Sequence, residues 1–189
     1  VAEPHVPTLG TARLHLRRWR DTDRSAFAAI NADPEVARHL PGVMPKALSD
    51  TLIDRFEAHF DAHAFGRWAV ERREDGALLG FVGGQTVHFD APFVPAVEIG
   101  WRLGRQAWGQ GYAREAAEAA LRDLRQRIGL VDIVGFTVPV NRRSWGLMQR
   151  LGFRRDPHGD FAHPQLPSDH PLSRHWLYRA HLDAEGQPC

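Results

Sequence analysis

The spacing of hydrophobic positions changes period along the chain, and each change marks an element. Leu14 and Leu16 alternate with charged neighbours between Arg13 and Arg17, the period-two signature of a half-buried strand. Ala26, Phe27 and Ile30 then fall on one face at helical spacing, with Asp21 or Asp23 available as a cap. A short second turn opens at Asp33-Pro34-Glu35, where Asp caps, Pro takes the first helical position and Glu meets the positive dipole end. Val36 and Leu40 follow as its inward positions. From Ser49, the positions Leu52, Ile53, Phe56 and Phe60 define a longer helix that Gly66 is expected to stop.

Trp68 to Arg72 and Leu78 to Thr86 flank Glu74-Asp75-Gly76 and predict an antiparallel hairpin. After a Pro-broken connection, Phe89 to Pro95, the stretch Ala96 to Leu103 reads as a strand covered on both faces. Val97, Ile99, Trp101 and Leu103 lie on one face, and Glu98, Gly100 and Arg102 on the other. Gln110 to Ile128 has the clearest helical stripe, Ala113, Ala117, Ala120, Leu124 and Ile128, with Glu118 and Arg122 paired outside. Asp132 to Val140 reads as a strand, Asn141 caps a helix through Leu151, and Gly152 ends it. Asp156 to Leu172, rich in Pro, His and Asp, reads as a long loop, and His175 to His181 as a last strand. The order β-α-α-β-β-β-α-β-α-β predicts a mixed α/β (α+β) sheet with an antiparallel start and a parallel strand-helix-strand crossover.

At 189 residues the chain suits a single domain, 1–189, with about 1–10 and 183–189 as flexible tails. Lys+Arg 24 against Asp+Glu 23 leaves a formal net charge of +1, and no basic block is long enough to serve as a footprint on nucleic acid. The 11 histidines make the charge sensitive to acidification. A lone terminal Cys189 excludes an internal disulfide and favours a cytoplasmic home. No membrane span or signal peptide is visible. Lys46 is the only lysine, so Schiff-base chemistry has one candidate, and the P-loop pattern is absent.

The chemistry concentrates between Glu98 and Glu118. Gly109 and Gly111, just ahead of a helix, either expose backbone amides as an anion cradle or merely permit a tight turn. A dinucleotide-binding reading fails, because GxGxxG breaks at Arg114. The string Gln106-x-x-Gly109-x-Gly111 after Glu98-Ile-Gly-Trp-x-Leu103 resembles the acyl-CoA pyrophosphate motif of the GCN5-related N-acetyltransferase (GNAT) family. Asn141-x-x-Ser144 with Leu147-Met148-x-x-Leu151-Gly152-Phe153 is similar to that family's second CoA motif. The Arg-Leu-x-Leu-Arg opening at Arg13 and Trp108-Gly-x-Gly-Tyr-Ala resemble the branch that acetylates ribosomal-protein N-termini.

This resemblance implies a mixed sheet of about six to seven strands with a splayed parallel central pair and about four helices. It implies an acetyl-CoA-dependent N-acetyltransferase, with no metal, in which an amine attacks the thioester directly and a backbone N–H of the central strand meets the developing oxyanion. The pyrophosphate would rest on the amides of Gln106, Trp108, Gly109, Gln110, Gly111, Tyr112 and Ala113, and pantetheine along the main chain of Trp101 to Leu103. Arg105 would meet a CoA phosphate or else be solvated surface. Asn141 and Ser144 would reach the pantetheine arm, with a plain helix cap as the alternative for Asn141. Glu98 is the candidate base, or a carboxylate paired with an arginine across the sheet. Many family members place a tyrosine where this chain has Met148, so Ser144 and then Tyr178 become candidates to protonate the thiolate, with solvent as the third option. Trp19, His39, Phe65 and His163 are guesses for acceptor contacts.

His59 and His63, one helical turn apart, read as a solvated face rather than a metal site, and the C-terminal histidines match no standard ligand spacing. The rival to an enzyme is a non-catalytic CoA-binding or sensory module. Acceptor identity, small amine or protein N-terminus, is open, as is oligomeric state, a homodimer included.

Overall fold

The structure, a computed structural model, describes residues 6–189. Eight strands form one sheet in the order β1-β2-β3-β4-β5-β6-β8-β7. They are β1 (Leu9–Gly10), β2 (Leu14–Arg17), β3 (Arg67–Arg72), β4 (Leu78–Thr86), β5 (Val97–Leu103), β6 (Asp132–Thr137), β7 (Arg154–Ala162) and β8 (Arg174–His181). Five helices accompany them: α1 (Arg24–Ala32), α2 (Pro34–Ala37), α3 (Lys46–His63), α4 (Tyr112–Gln126) and α5 (Arg142–Arg150). Every pairing is antiparallel except β5 with β6. The predicted crossover is therefore β5-α4-β6.

The count exceeds the expected six to seven strands and four helices, and one reason is chemical. Arg154 to Ala162 is a strand where a loop was expected from Asp156 onward. Its pairing with β8 breaks between Asp156 and Phe161, the interval that holds Pro157. Proline cannot donate to a ladder, so it sits at a register break on this edge strand, where no ladder bond is lost.

α4 packs on the β4–β5 face through Ala116, Ala117, Ala120 and Leu124, all buried. Gly84 makes that approach possible, since a Cβ there would stand 2.9 Å from Leu124. Glu118 pairs with Arg114 (2.7 Å) instead of the expected Arg122. On the opposite face, Phe27 of α1 and Phe56 of α3 meet Phe81 of β4 edge-on, at ring distances of 6.1 and 5.1 Å. Ala28, rather than the exposed Ala26, completes the inner face of α1. Left-handed Ala64 ends α3 two residues before Gly66.

Asp23 was a candidate cap for α1, but its carboxylate receives Arg17 in a buried bidentate pair (2.8 and 2.9 Å). Burial would raise its pKa, yet the Arg17 bonds and the Arg20 amide outweigh that and hold it below the usual carboxylate range. The expected C-terminal tail is folded back: Leu182 bridges Pro188, and the Cys189 N–H donates to His181 O (2.9 Å). Of the expected N-terminal tail, residues 1–5 lie outside the described residues, and Leu9–Gly10 pair with β2.

Candidate active site

β4 pairs with β5 along its full length, whereas β6 meets β5 only at Glu98↔Val134. Past Glu98 the two parallel strands diverge. The Gly104 N–H donates to Leu79 O on the β4 side (2.9 Å), so alternation turns the backbone groups of Trp101 and Leu103 toward the opening. Leu103 O accepts from Trp108 Nε1 (2.8 Å), which ties the following loop to the strand end. The Trp101 amide and carbonyl and the Leu103 N–H have no strand partner and are available to an extended ligand arm.

Beyond β5 a 3₁₀ turn, Arg105–Ala107, leads into the glycine loop, and Gly109 and Gly111 both have positive φ, +74° and +81°. Gly111 caps α4 without any side chain on the amides, and the first intrahelical bond is Glu115 N–H to Gly111 O (3.0 Å). The amides of Tyr112, Ala113 and Arg114 therefore lack an intrahelical acceptor. Glu115 could have neutralised them but is turned away: its carboxylate accepts from Thr11 Oγ1 (2.6 Å) and from Arg13 N–H (2.9 Å) and Nε (2.7 Å). Burial would raise the Glu115 pKa, but these bonds hold it below its ordinary value. Arg13 also donates to Gln110 O (3.0 Å) and lies 4.4 Å from the Tyr112 ring centroid. Gln110 reaches back to Gln106 O (2.6 Å). A Cβ on Gly109 would meet nothing within 4 Å, so the approach to the amides is open. Uncapped amides, an open approach and a free strand edge fit the pyrophosphate and pantetheine of a CoA ester.

Arg105, read as a phosphate contact or solvated surface, is exposed and paired with Asp33 (3.0 Å), whose other oxygen caps α2. Arg143, which the sequence reading passed over, stacks 4.4 Å from the Trp108 ring centroid and lines the same crevice as Gln106. Its place inside Asn141-x-x-Ser144 was the available signal.

A cavity of about 930 Å³ extends from the open edge of β5 to α3, α5 and the segment after β7. Glu98, Trp101, Asn141, Ser144 and Met148 share its wall. Asn141 caps α5 by accepting from the Ser144 N–H (3.3 Å) and donates to Thr137 Oγ1 (3.2 Å). Tyr178 does not join them: it is 1% exposed within the core and is not part of the cavity wall. Of the guessed acceptor contacts, His39 and His163 line the cavity, while Trp19 and Phe65 are buried core residues.

Glu98 accepts from Arg67 Nη2 (2.9 Å). Burial pushes the Glu98 pKa up, and the attraction of Arg67 only partly opposes it. A carboxylate whose proton affinity is raised in a cavity wall is suited to accept a proton near neutrality.

Six histidines line this cavity: His39, His59, His63, His88, His163 and His175. His59 departs from the expected solvated face. It is buried, its Nδ1 lies 2.8 Å from Phe65 O, and its Nε2 accepts from the Thr86 N–H (3.2 Å). Those partners assign the proton to Nδ1, and burial lowers its pKa to about 4, so the ring is neutral. His163 and His175 stand 5.1 Å apart by ring centroid, and burial lowers both pKa values.

Residues 13–154 match the acetyltransferase (GNAT) domain family. The chain is 28% identical over 152 residues to the uncharacterized N-acetyltransferase YoaA of Bacillus subtilis, covering 79% of this chain and 84% of that protein. A GNAT-family acetyltransferase from Bacillus anthracis superposes with a TM-score of 0.76 at 22% identity, covering 93% of this chain and 98% of that one. Mycobacterium smegmatis RimJ, in complex with CoA-disulfide, superposes with a TM-score of 0.75 at 18% identity, covering 100% and 93%.

Proposed function

We propose, on the premise that this chain belongs to the GNAT acetyltransferase family and is an N-acyltransferase, that it transfers acetyl from acetyl-CoA to a primary amine held in the 930 Å³ cavity. One observation carries the reading: a single cavity joins the Glu98 carboxylate to the unpaired edge of β5 and to Ser144. Acetyl-CoA supplies the activated acyl carbon and a thiolate leaving group with a pKa near ~8.5.

The amides of Gly109 to Arg114 hold the pyrophosphate, and the free groups of Trp101 and Leu103 hold pantetheine as an added strand. Glu98 accepts the ammonium proton of the acceptor, directly or through water, leaving the nitrogen lone pair free to attack. As the N–C bond forms and the C–S bond breaks, a β5 backbone N–H carries the oxygen charge, and the surplus ammonium proton on the attacking nitrogen passes to the departing sulfur through the Ser144 hydroxyl, which takes one proton as it gives the other. CoA bound to the RimJ structure supports the co-substrate, and a 27% identity over 105 residues to the ribosomal protein uS5 alanine N-acetyltransferase of Escherichia coli favours a protein N-terminus over a small amine as acceptor.

The Arg67–Glu98 ion pair is the observation a binding-only module would use, as it gives Glu98 a structural task. Thiol release separates the two readings. Purified protein with acetyl-CoA is assayed against peptides with free N-termini and a series of small amines. An acceptor that accelerates CoA release supports the enzyme, and none doing so while CoA still binds supports the module.

A further inference from the structure

Among the described residues Glu98 is the only carboxylate on the wall of this cavity, and three arginines, Arg55, Arg67 and Arg102, line the same wall. Arg67 is matched by Glu98. Among the described residues Arg55 and Arg102 have no ion-pair partner: the one side-chain hydrogen bond of Arg102 goes to the neutral Asn31 Oδ1 (2.7 Å), and its guanidinium lies 5.6 Å from the Phe81 ring centroid. A half-buried guanidinium without a carboxylate leaves a desolvated charge that an anionic ligand would complete.

Three charges lie in a row along β5, two of them on the strand and the third, Arg67, reaching over it from β3. Glu98, Gly100 and Arg102 share one face by alternation, and the Arg67 guanidinium lies over Gly100, with Nη2 3.1 Å from where a Cβ would stand. The order along the strand is negative, positive, positive. The Nε of Arg67 is buried without a partner, so this pair of arginines is incompletely satisfied on its own.

We propose that the acceptor is an amine that also carries a carboxylate, with the amine toward Glu98 and the carboxylate bound by Arg102 beside Arg67. This rests on the acetyl-transfer reading above. Glu98 and Arg102 are four residues apart, about 13 Å at ~3.3 Å per residue, so several bonds separate the amine from the carboxylate. An acidic side chain next to a peptide N-terminus and an ω-amino acid share that chemistry. Polyamines and aminoglycosides do not, and two cations already in the wall repel them. Burial, with Arg67 adding to it, lowers the Arg102 pKa to about 10, which leaves it charged at neutral pH, and the charge of a bound carboxylate would offset both effects.

The test compares matched acceptors by CoA release: Ala-Asp-Ala-Gly against Ala-Asn-Ala-Gly, both blocked as C-terminal amides, 5-aminopentanoate against its amide, and spermidine. Each acid should exceed its amide by about 10-fold or more in kcat/KM, and whichever pair gives the larger ratio identifies peptide or small molecule as the source of the carboxylate. In Arg102→Gln, which keeps a donor for Asn31, the acid-to-amide ratio should fall toward one, and Arg102→Lys should restore part of it. Thermal melting establishes that both variants are folded. Equal rates for acid and amide, faster spermidine, or an unchanged ratio in a folded Arg102→Gln would overturn the proposal and leave acetyl transfer standing. If no amine in the panel accelerates release, acetyl transfer fails and this proposal with it.

Discussion

Replacing Glu98 by Gln separates proton acceptance from structure because the two roles make opposite demands. Burial raises the Glu98 pKa despite Arg67, so the folded state favours the neutral carboxyl. A carboxyl with a raised folded pKa contributes stability that is complete below its unfolded pKa, and that stability is lost as pH rises through the folded value. The Gln variant removes that desolvation cost but also leaves largely buried Arg67 without its carboxylate, so a lowered melting temperature reports the ion pair, whereas the pH profile reports the base. Activity should behave differently. A peptide N-terminus has a pKa near ~8, so the free amine makes up about 1% at pH 6, about 10% at pH 7 and most of the total at pH 9. If Glu98 removes the proton, the variant depends on that free fraction alone. Its deficit in kcat/KM should be about 10-fold at pH 7 and small at pH 9, and below neutrality it should stop growing as Glu98 itself takes up a proton. Thiol release measured across this range with the best acceptor, beside calorimetry of acetyl-CoA binding, reads both quantities. A pH-independent loss, or no loss, would refute the assignment, and His163 and His175 would be the next bases to examine.

Gly111→Val should weaken acetyl-CoA binding by about 10-fold or more in a folded protein, because the residue sits at φ +81° with Arg13 Nη2 3.4 Å from the new Cβ; calorimetry on the folded variant checks it. Ser144→Ala should lower kcat while Tyr178→Phe leaves it within about twofold, since Tyr178 is absent from the cavity wall; the reverse order in steady-state assays would return the proton to Tyr178. Asp23→Ala should destabilise the fold by about 2 kcal/mol, because buried Arg17 loses its bidentate partner and keeps only the Glu71 carboxylate (2.7 Å), a drop in Tm of about 6 °C. The lowered pKa values of Asp23 and Glu71 make their contribution complete above the unfolded carboxylate range and lost as pH falls through the folded values, so acid melts of parent and Asp23→Ala should converge.

The features legible in the sequence depend on short spacings. Ala117, Ala120 and Leu124 declare α4 through a 3.6-residue period, Asp33-Pro34-Glu35 declares α2, and the alternation from Val97 to Leu103 separates the covered face of β5 from the face bearing Glu98. Gly109 and Gly111 are legible for a related reason, since each occupies a backbone conformation that local sterics reserve almost entirely for glycine. Where local signals compete, the reading fails: Pro157 argues against a strand, and only the partner β8 shows that the ladder resumes on its far side. The charge arrangement of the cavity was legible only in outline: an arginine across the sheet was one of two readings for Glu98, and the structure supplies Arg67 as that partner. That Glu98 meets Arg67, 31 residues away, and Arg102 meets Asn31, 71 residues away, follows from sheet register and from α1 crossing β5. His59 likewise reads as surface until Phe65 O and Thr86 close around it. Periodicity fixes which face a side chain takes, but the electrostatic environment depends on which remote elements cover that face. Those contacts are made only when loop closure and packing bring the elements together.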